Sequence, residues 1–600
     1  MAAADYLAGL HANLAGHHST TQTPLEFLRS NARMDEFSVW LLSAGGRNVD
    51  ILRSARKAIQ VEPAHLAIFC ASIGSPLAKL AGQLAIDRLE YEPPAGKDGF
   101  LATNSLASFL LLLARAYSDV IGRSFVRSLP ELLETALPPA SDLGTLRERF
   151  VPLLDREHWL VLYDPGCRPI ATDMESRFSE AALGSIKISD IRNFAHGRHH
   201  WIAKRESTSA VVILSQPGTA KVAMRSLDLL PRSLPRVHLQ FADNPVIAPV
   251  GGIFISMEIA GWVGEARGID PGRPGVPEFG RRLYNLSSTP SPGSKLQSVT
   301  QIVVRKARVT PASLRTSGLD TLWELAFEAF RDELYRRPIR GLVFDYDGTL
   351  VDVQDRFQPP KQDISEALIK LLAYGIRIGI ATGRGRSARR DLREVIPREY
   401  WTNVLMGYHN GAEVGPLEDN TTPESANGSV DPAIAKALDA LQHHSAIWSR
   451  LTVDPSHSQI GLQWKSPILG WHLQSLLEPL LPALQDLGIQ LVSSGHSIDL
   501  LACGVSKKGV VRCLAESAAA SQSEILVIGD RGRSPGNDAE MLSHCPSLSV
   551  DEVSAQASTC WRLTPPMLKG RLATLWYLRR LSMRKKYPGV VFFKKGSLPK

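Results

Sequence analysis

Two aspartates, Asp345 and Asp347, stand two residues apart in GLVFDYDGTLVD (341–352). The run before them, Gly341 to Phe344, reads as a buried strand. The pair therefore falls at the strand's C-terminal end, where open α/β sheets carry their sites. A continued strand turns both carboxylates to one face, and Gly348 and Thr349 then turn the chain. The competing reading is a calcium loop or an Asp-rich turn, which needs more oxygen acceptors than follow this strand. A second cluster lies in IRNFAHGRHHWI (191–202), where His196, His199 and His200 stand beside Arg192 and Arg198. The residues alone leave three readings of it open: a metal site, a nucleic-acid patch or a loop that holds an anion.

An apolar strand followed by D-x-D-G-T resembles the haloacid dehalogenase (HAD) superfamily of phosphatases. Three further segments follow in that family's order: IGIATGRG with Thr382, GVSKKGVV with a lysine before a helix, and LVIGDRGRSPGNDAEML with Asp530 and Asp538. Phosphate esters resist attack because the phosphoryl group is already anionic, so a carboxylate nucleophile needs a cation to cancel the repulsion. The resemblance implies that Asp345 attacks phosphorus and forms an aspartyl-phosphate, and that Asp347 protonates the leaving oxygen and later activates water. It implies Mg²⁺ held by Asp345, Asp347, Asp530 and Asp538, with Thr382 and Lys508 on the phosphoryl oxygens. The family pattern puts the lysine directly before glycine, which selects Lys508 over Lys507. Seven residues separate Asp530 from Asp538, more than the usual spacing.

The 125 residues between Thr382 and Lys508 exceed what the sheet requires. They read as an inserted α/β cap at about 400–500, comprising VLMGYHNGAEV, a helix at 432–445, IGLQWK, a helix at 470–485 and GIQLVSSGHSIDLLACG. The NGA turn and the SIDL strand resemble the sugar-phosphatase branch of the superfamily. Caps close over substrate and set its specificity, so His409, Asn410, His496 and Ser497 are candidate sugar contacts.

The first half repeats another pattern. VWLLSAGGRNVDIL (39–52) ends a strand in a small-residue turn that offers N–H groups and a hydroxyl to an anion. It resembles the phosphosugar loop of sugar-isomerase (SIS) domains, as do AIFCASIGSPLAKLA and PAGKDGFLATNSLASFLLLL. RPIATDMESRFSEAALGSIKISDIRNFAHGRHHWI resembles the second SIS half of glucosamine-6-phosphate synthases, with Glu180 and His196 on that family's catalytic glutamate and histidine. The resemblance thus implies a phosphosugar site with Ser43, Thr103, Glu180 and His196, and a homodimer. There is no glutaminase domain, so ammonia transfer is not expected. Arg281 and Arg282 stand where the family has a lysine, and arginine is a poor base.

The expected fold class is α/β: two SIS-type parallel-sheet sandwiches (1–140 and 150–286), a linker and connecting helix (287–337), a HAD Rossmann-like core with its cap (338–568), and a basic tail (569–600). From Trp561 onward there are eleven Lys or Arg and no Asp or Glu, so the net charge of +8 belongs to the tail. That tail reads either as a helix packing Leu575, Leu578 and Leu581 on the body, or as a nucleic-acid surface. In the second reading Trp576, Tyr577, Tyr587, Phe592 and Phe593 stack on bases. Six scattered cysteines fit a reducing cytoplasm. The longest apolar run, LASFLLLLARAY, is too short to cross a bilayer and reads as a buried helix. The expected activity is Mg²⁺-dependent hydrolysis of a phosphorylated sugar or sugar derivative. The alternatives are a bifunctional sugar-phosphate isomerase and phosphatase, or a nucleotide-linked phosphatase that uses the tail.

Overall fold

The computed structural model describes residues 1–82, 84–138, 142–284, 286, 299–423, 430–465, 477–494, 497–544 and 546–599. His496 and the whole 287–298 stretch of the linker lie outside them, as does the start of the helix expected at 470–485. The chain is mixed α/β with parallel sheets at its cores.

The first sheet has three parallel strands, β1 (Ser38–Ser43), β2 (His65–Cys70) and β3 (Asp87–Glu90), in that order. Only β2 is buried along most of its length; Trp40 on β1 and Leu89 on β3 are exposed. LASFLLLLARAY lies on the helix Asn104–Val120, one face of which is buried through Phe109, Leu110, Leu113 and Ala114. The second sheet holds β4 (His158–Tyr163), β5 (Ser185–Asp190), β6 (Ser209–Ser215) and β7 (Arg236–Gln240), all parallel, in the order β5-β4-β6-β7. β6, SAVVILS, is buried at all seven positions, as a central strand covered on both faces requires. The helix Ala248–Arg267 packs against the helix Arg168–Glu180 and helices of the first unit.

The third sheet positions the aspartates. It comprises β8 (Gly341–Asp345), β9 (Arg377–Ala381), β10 (Val404–Tyr408), β11 (Glu413–Pro416), β16 (Ile525–Arg531) and β17 (Ser547–Glu552), in the order β11-β10-β9-β8-β16-β17. All pairs are parallel except β10 with β11. The chain runs from β8 outward to β9 on one side and returns to β16 on the other. That reversal opens a crevice at the strands' C-terminal ends.

Two expectations change here. VLMGYHNGAEV forms β10 and β11 of this sheet, paired to β9, and is not part of the cap. The cap's own sheet is antiparallel: β12 (Leu451–Pro455), β13 (Gln459–Trp464), β14 (Gln490–Ser493) and β15 (Ile498–Leu501), in the order β12-β13-β15-β14. The described part of the connecting region folds into helices Val299–Ala307, Pro311–Thr316 and Asp320–Arg336, whose Ile302, Val303, Phe327 and Phe330 enter the same core as β8. The basic tail is also built into that core. Its helix Gly570–Leu578 and the hairpin β18 (Leu581–Met583) with β19 (Val591–Phe593) bury Leu575, Tyr577, Leu581, Val591 and Phe593. Buried Tyr577 and Phe593 offer no face for stacking bases. No described helix is long and apolar enough to cross a membrane.

Candidate active site

Asp345 ends β8 and is 2% exposed. β8 pairs with β16, which carries Asp530, while Asp538 precedes a short helix after the following loop. Carboxylate oxygens of Asp345, Asp530 and Asp538 lie within 4.8 Å of one another, and all three residues are buried. Gly348 makes this approach feasible: its φ is +87°, and a Cβ there would lie 2.3 Å from Asp530 Oδ2.

The Lys507 ammonium sits among them. Lys507 Nζ donates to Asp345 Oδ1 at 2.6 Å and to Asp538 Oδ1 at 2.8 Å. Asp538 Oδ2 accepts the backbone N–H groups of Asp530 (3.0 Å) and Arg531 (3.3 Å). Asp345 Oδ2 is buried without a hydrogen-bond partner. Burial first, then the neighbouring Asp538 charge, push Asp345 up to about 7, and burial raises Asp530 well above the usual carboxylate range. Burial works against Asp538 too, but Lys507 and the hydrogen bonds it accepts hold it below its ordinary value. Three buried carboxylates face the Lys507 ammonium and the Arg531 guanidinium, whose Nε lies 3.6 Å from Asp530 Oδ2, so the carboxylates outnumber the cations beside them.

The lysine expectation is corrected by this geometry. Lys508 is exposed, and Lys507 occupies the site. Lys508 opens the helix Lys508–Ser517 and Lys507 caps it; one step of about 100° around the helix turns the next side chain to solvent. Asp347 is also corrected as a metal ligand, because its carboxylate is not in the buried triad. It is instead 3.7 Å from Arg384 Nη1. Burial raises the Asp347 carboxyl, with Arg384 opposing.

Thr382 follows β9, beside Asp345 through the Asp345–Ala381 pairing. Its N–H is spent on Gly407 O (2.9 Å) and its Oγ1 accepts Arg384 N (3.0 Å), so only the hydroxyl proton remains for a ligand. Arg384 escaped the sequence reading although it stands two residues after Thr382. It joins several parts of the site: Nη2 to Asp391 Oδ2 (2.7 Å), Nε to Ser387 Oγ (3.1 Å) and Nη1 to Arg356 O (2.7 Å).

Where cap meets core, Asn410 is 1% exposed with φ +57°. Its Nδ2 donates to Gln459 Oε1 (2.9 Å) and Asp499 Oδ2 (3.1 Å), both on cap strands, while its Oδ1 has no partner. His409 packs edge-on against His457 of the cap, with ring centroids 5.8 Å apart and its Nδ1 unpartnered. Ser497 Oγ donates to Asp499 Oδ1 (3.2 Å).

The four residues expected in the first half do not form one site within the chain. Ser43 Oγ accepts Gly46 N (3.1 Å) in the turn after β1. Thr103 N and Oγ1 both donate to Asp98 Oδ1 (3.0 and 3.4 Å), as does Ser105 N (3.1 Å), so the chain's own carboxylate fills the helix start expected to hold an anion. Glu180 ends the helix that returns to the N-terminal end of β5, whereas His196 follows that strand's C-terminal end. A six-residue strand, roughly 20 Å, stands between them. Both side chains are exposed. His199 and His200 are exposed as well, and the Trp201 ring lies beneath Lys187 Nζ (4.1 Å) and Arg205 (4.8 Å).

No curated protein matches the chain in sequence. Among solved structures, the C-terminal domain of glucosamine-fructose-6-phosphate aminotransferase from Francisella tularensis is similar over 45% of this chain and 82% of its own, at 14% identity and a TM-score of 0.34. A phosphatase of the haloalkanoate (HAD) enzyme superfamily from Bacteroides thetaiotaomicron covers 40% of this chain and 95% of its own, at 18% identity and a TM-score of 0.29. Trehalose-6-phosphate phosphatase from Aspergillus fumigatus covers 42% and 96%, at 16% identity and a TM-score of 0.29. The family match falls on the segment that carries the site's first two motifs: residues 342–448 match the haloacid dehalogenase-like hydrolase family.

Proposed function

We propose that the chain is a Mg²⁺-dependent phosphatase of a phosphorylated sugar or sugar derivative, working through Asp345. The observation that carries this reading is the division of labour on one carboxylate: Lys507 holds Oδ1, while Oδ2 is buried and unpartnered. A carboxylate so fixed has one oxygen free to attack. Oδ2 forms the bond to phosphorus, the bond from phosphorus to the sugar oxygen breaks, and the departing oxygen takes a proton from Asp347. Burial raises that carboxyl, which favours its carrying the proton to be donated. Asp347 then takes a proton from water, whose oxygen attacks phosphorus as the Asp345–phosphorus bond breaks, and free carboxylate and phosphate result. Lys507 and the Thr382 hydroxyl are the donors for the phosphoryl oxygens.

The donor set fits a hard divalent cation: one orphaned oxygen and three buried carboxylates that outnumber the Lys507 and Arg531 cations beside them. Asp345, Asp530 and Asp538 would hold it. When bound, Mg²⁺ supplies positive charge against the repulsion between the attacking carboxylate and the phosphoryl group.

A polyhydroxylated leaving group is supported by the unpartnered Asn410 Oδ1 and His409 Nδ1 where the cap meets the core. The isomerase alternative requires Glu180 and His196 at one sugar, and their separation along β5 speaks against such a site within one chain. A phosphate-release screen of the full chain over hexose, pentose and disaccharide phosphates and nucleotides, with Mg²⁺ or EDTA, tests the reading. Turnover of sugar phosphates only with Mg²⁺ supports it, and activity confined to nucleotides counts against the sugar assignment.

A further inference from the structure

The N-terminal unit and the phosphatase share more than a linker. Met567, far down the chain, is 1% exposed inside the apolar core that Phe27, Leu41, Leu66, Ile68 and Leu77 build beneath the first sheet. Its backbone is fixed on both sides: its N–H donates to Glu62 Oε1 (3.0 Å) and its carbonyl accepts Ala85 N (2.8 Å).

Glu62 is held in turn by two buried arginines of the phosphatase half. Arg305 Nε donates to its Oε2 at 2.6 Å and Arg562 Nη2 to its Oε1. Arg305 also donates to the carbonyls of Arg562 (2.6 Å) and Thr564 (3.2 Å), tying the strand of chain that leads to Met567. Glu62 adopts φ +48°, a conformation that costs a non-glycine residue energy and persists where its surroundings enforce it.

The other end of this segment touches the catalytic turn. Gly570 has φ +58°, and a Cβ there would lie 3.1 Å from Asp352 Oδ1 and 3.4 Å from Gly348 O. Arg571 bonds Asp352 through N (3.4 Å) and Nε (3.3 Å), and Asp363 through Nη1. Thr574 Oγ1 donates to Thr349 O at 2.7 Å, wholly buried. The eight residues Met567 to Thr574 thus connect a side chain inside the first unit's core to the turn that follows Asp345 and Asp347. A weaker contact reaches the other catalytic loop, where exposed Arg533, between Asp530 and Asp538, lies 3.5 Å from Glu36.

We propose that the first sheet unit is a positioning element of the phosphatase: Met567 and Glu62 anchor the 565–574 segment so that it holds the 348–352 turn from behind. The proposal rests on the phosphatase reading for its catalytic consequence, but its structural consequence is independent of it. Met567 touches no reacting group and acts through the turn.

The test uses full-length protein and two readouts, hydrogen–deuterium exchange of the 346–352 amides and steady-state phosphatase kinetics. Met567→Ala is expected to raise exchange there at least fivefold and to lower kcat about tenfold with KM unchanged, while Met567→Leu restores both. Val212→Ala in the second sheet, which removes buried apolar volume away from this segment, serves as the control and should move neither. If Met567→Ala does not fold, the smaller Met567→Val truncation carries the same readouts. Unchanged exchange at 346–352 in the folded variant, or an equal rise in Val212→Ala, overturns the proposal. Raised exchange in a protein whose wild type releases no phosphate upholds the brace and removes the phosphatase reading alone.

Discussion

Lys507 Nζ lies 2.6 Å from Asp345 Oδ1, at the centre of a buried carboxylate cluster, while the adjacent Lys508 faces solvent. Lys507→Met should therefore abolish phosphate release. It should also destabilise the protein by about 3–5 kcal/mol in the absence of divalent cation, the cost of leaving buried charge uncompensated. Lys508→Met should change stability by no more than about 0.5 kcal/mol and leave kcat nearly intact. Urea unfolding and initial rates on both variants check this. The reverse ranking would reinstate the lysine that the family pattern selects.

The glycine after the two aspartates gives a second test. Gly348→Ala must place a Cβ 2.3 Å from Asp530 Oδ2 at φ +87°. The expected cost is about 1–3 kcal/mol in stability and roughly 100-fold in kcat as the carboxylates move apart. Retention of wild-type rate would mean that the turn has slack the packing does not show.

Burial, then Asp538, push Asp345 up to about 7, and this carries a pH dependence. The folded chain holds that proton more tightly than the unfolded chain. The stabilisation is therefore fully present below about pH 4 and is lost as pH rises through 7. Asp530 acts in the same sense, and Asp538, held low, in the opposite one. In EDTA, the stability difference between wild type and Asp345→Asn should thus shift against wild type from pH 5 to pH 8. Added Mg²⁺ should reduce that shift, since the cation replaces the proton. A difference independent of pH in guanidinium titrations would contradict the buried, proton-holding carboxyl.

Much of this architecture is legible in the chain. β8, β16 and β6 are continuous apolar runs because both faces are covered, and such runs announce parallel strands without alternation. Spacing alone could not rank Lys507 and Lys508, which depend on where a helix starts. An apolar run with an NG turn reads alike in core or cap, so β10 and β11 were assignable only by their partner β9. Thr103 has the right type and position for an anion, but Asp98, five residues earlier, already holds its donors. The tail's leucine stripe was legible beneath its charge, but the partners of its arginines were not: heads such as Arg571 pair with acids of the core while Leu575 and Tyr577 face inward.

That stripe gives a further prediction. The Tyr577 hydroxyl donates to Ser549 O (2.8 Å) and accepts Leu563 N (2.9 Å). Tyr577→Phe removes both buried hydrogen bonds and should cost about 1–3 kcal/mol. Fluorescence-anisotropy titration with single-stranded DNA near physiological salt should show no tight binding by wild type or variant. Salt-sensitive binding lost on removing 569–600 would restore the nucleic-acid reading of the tail.

The proposed chemistry runs through Asp345, and phosphate release by wild type and Asp345→Asn, with Mg²⁺ on the best sugar phosphate, tests it most directly. The amide keeps the shape and the Lys507 contact at Oδ1 but removes the attacking oxygen's charge. Activity in the variant should fall below the detection limit while circular dichroism and the unfolding transition show an intact fold. More than a few per cent of wild-type rate in a contaminant-free, folded preparation would contradict the assignment of Asp345 as nucleophile.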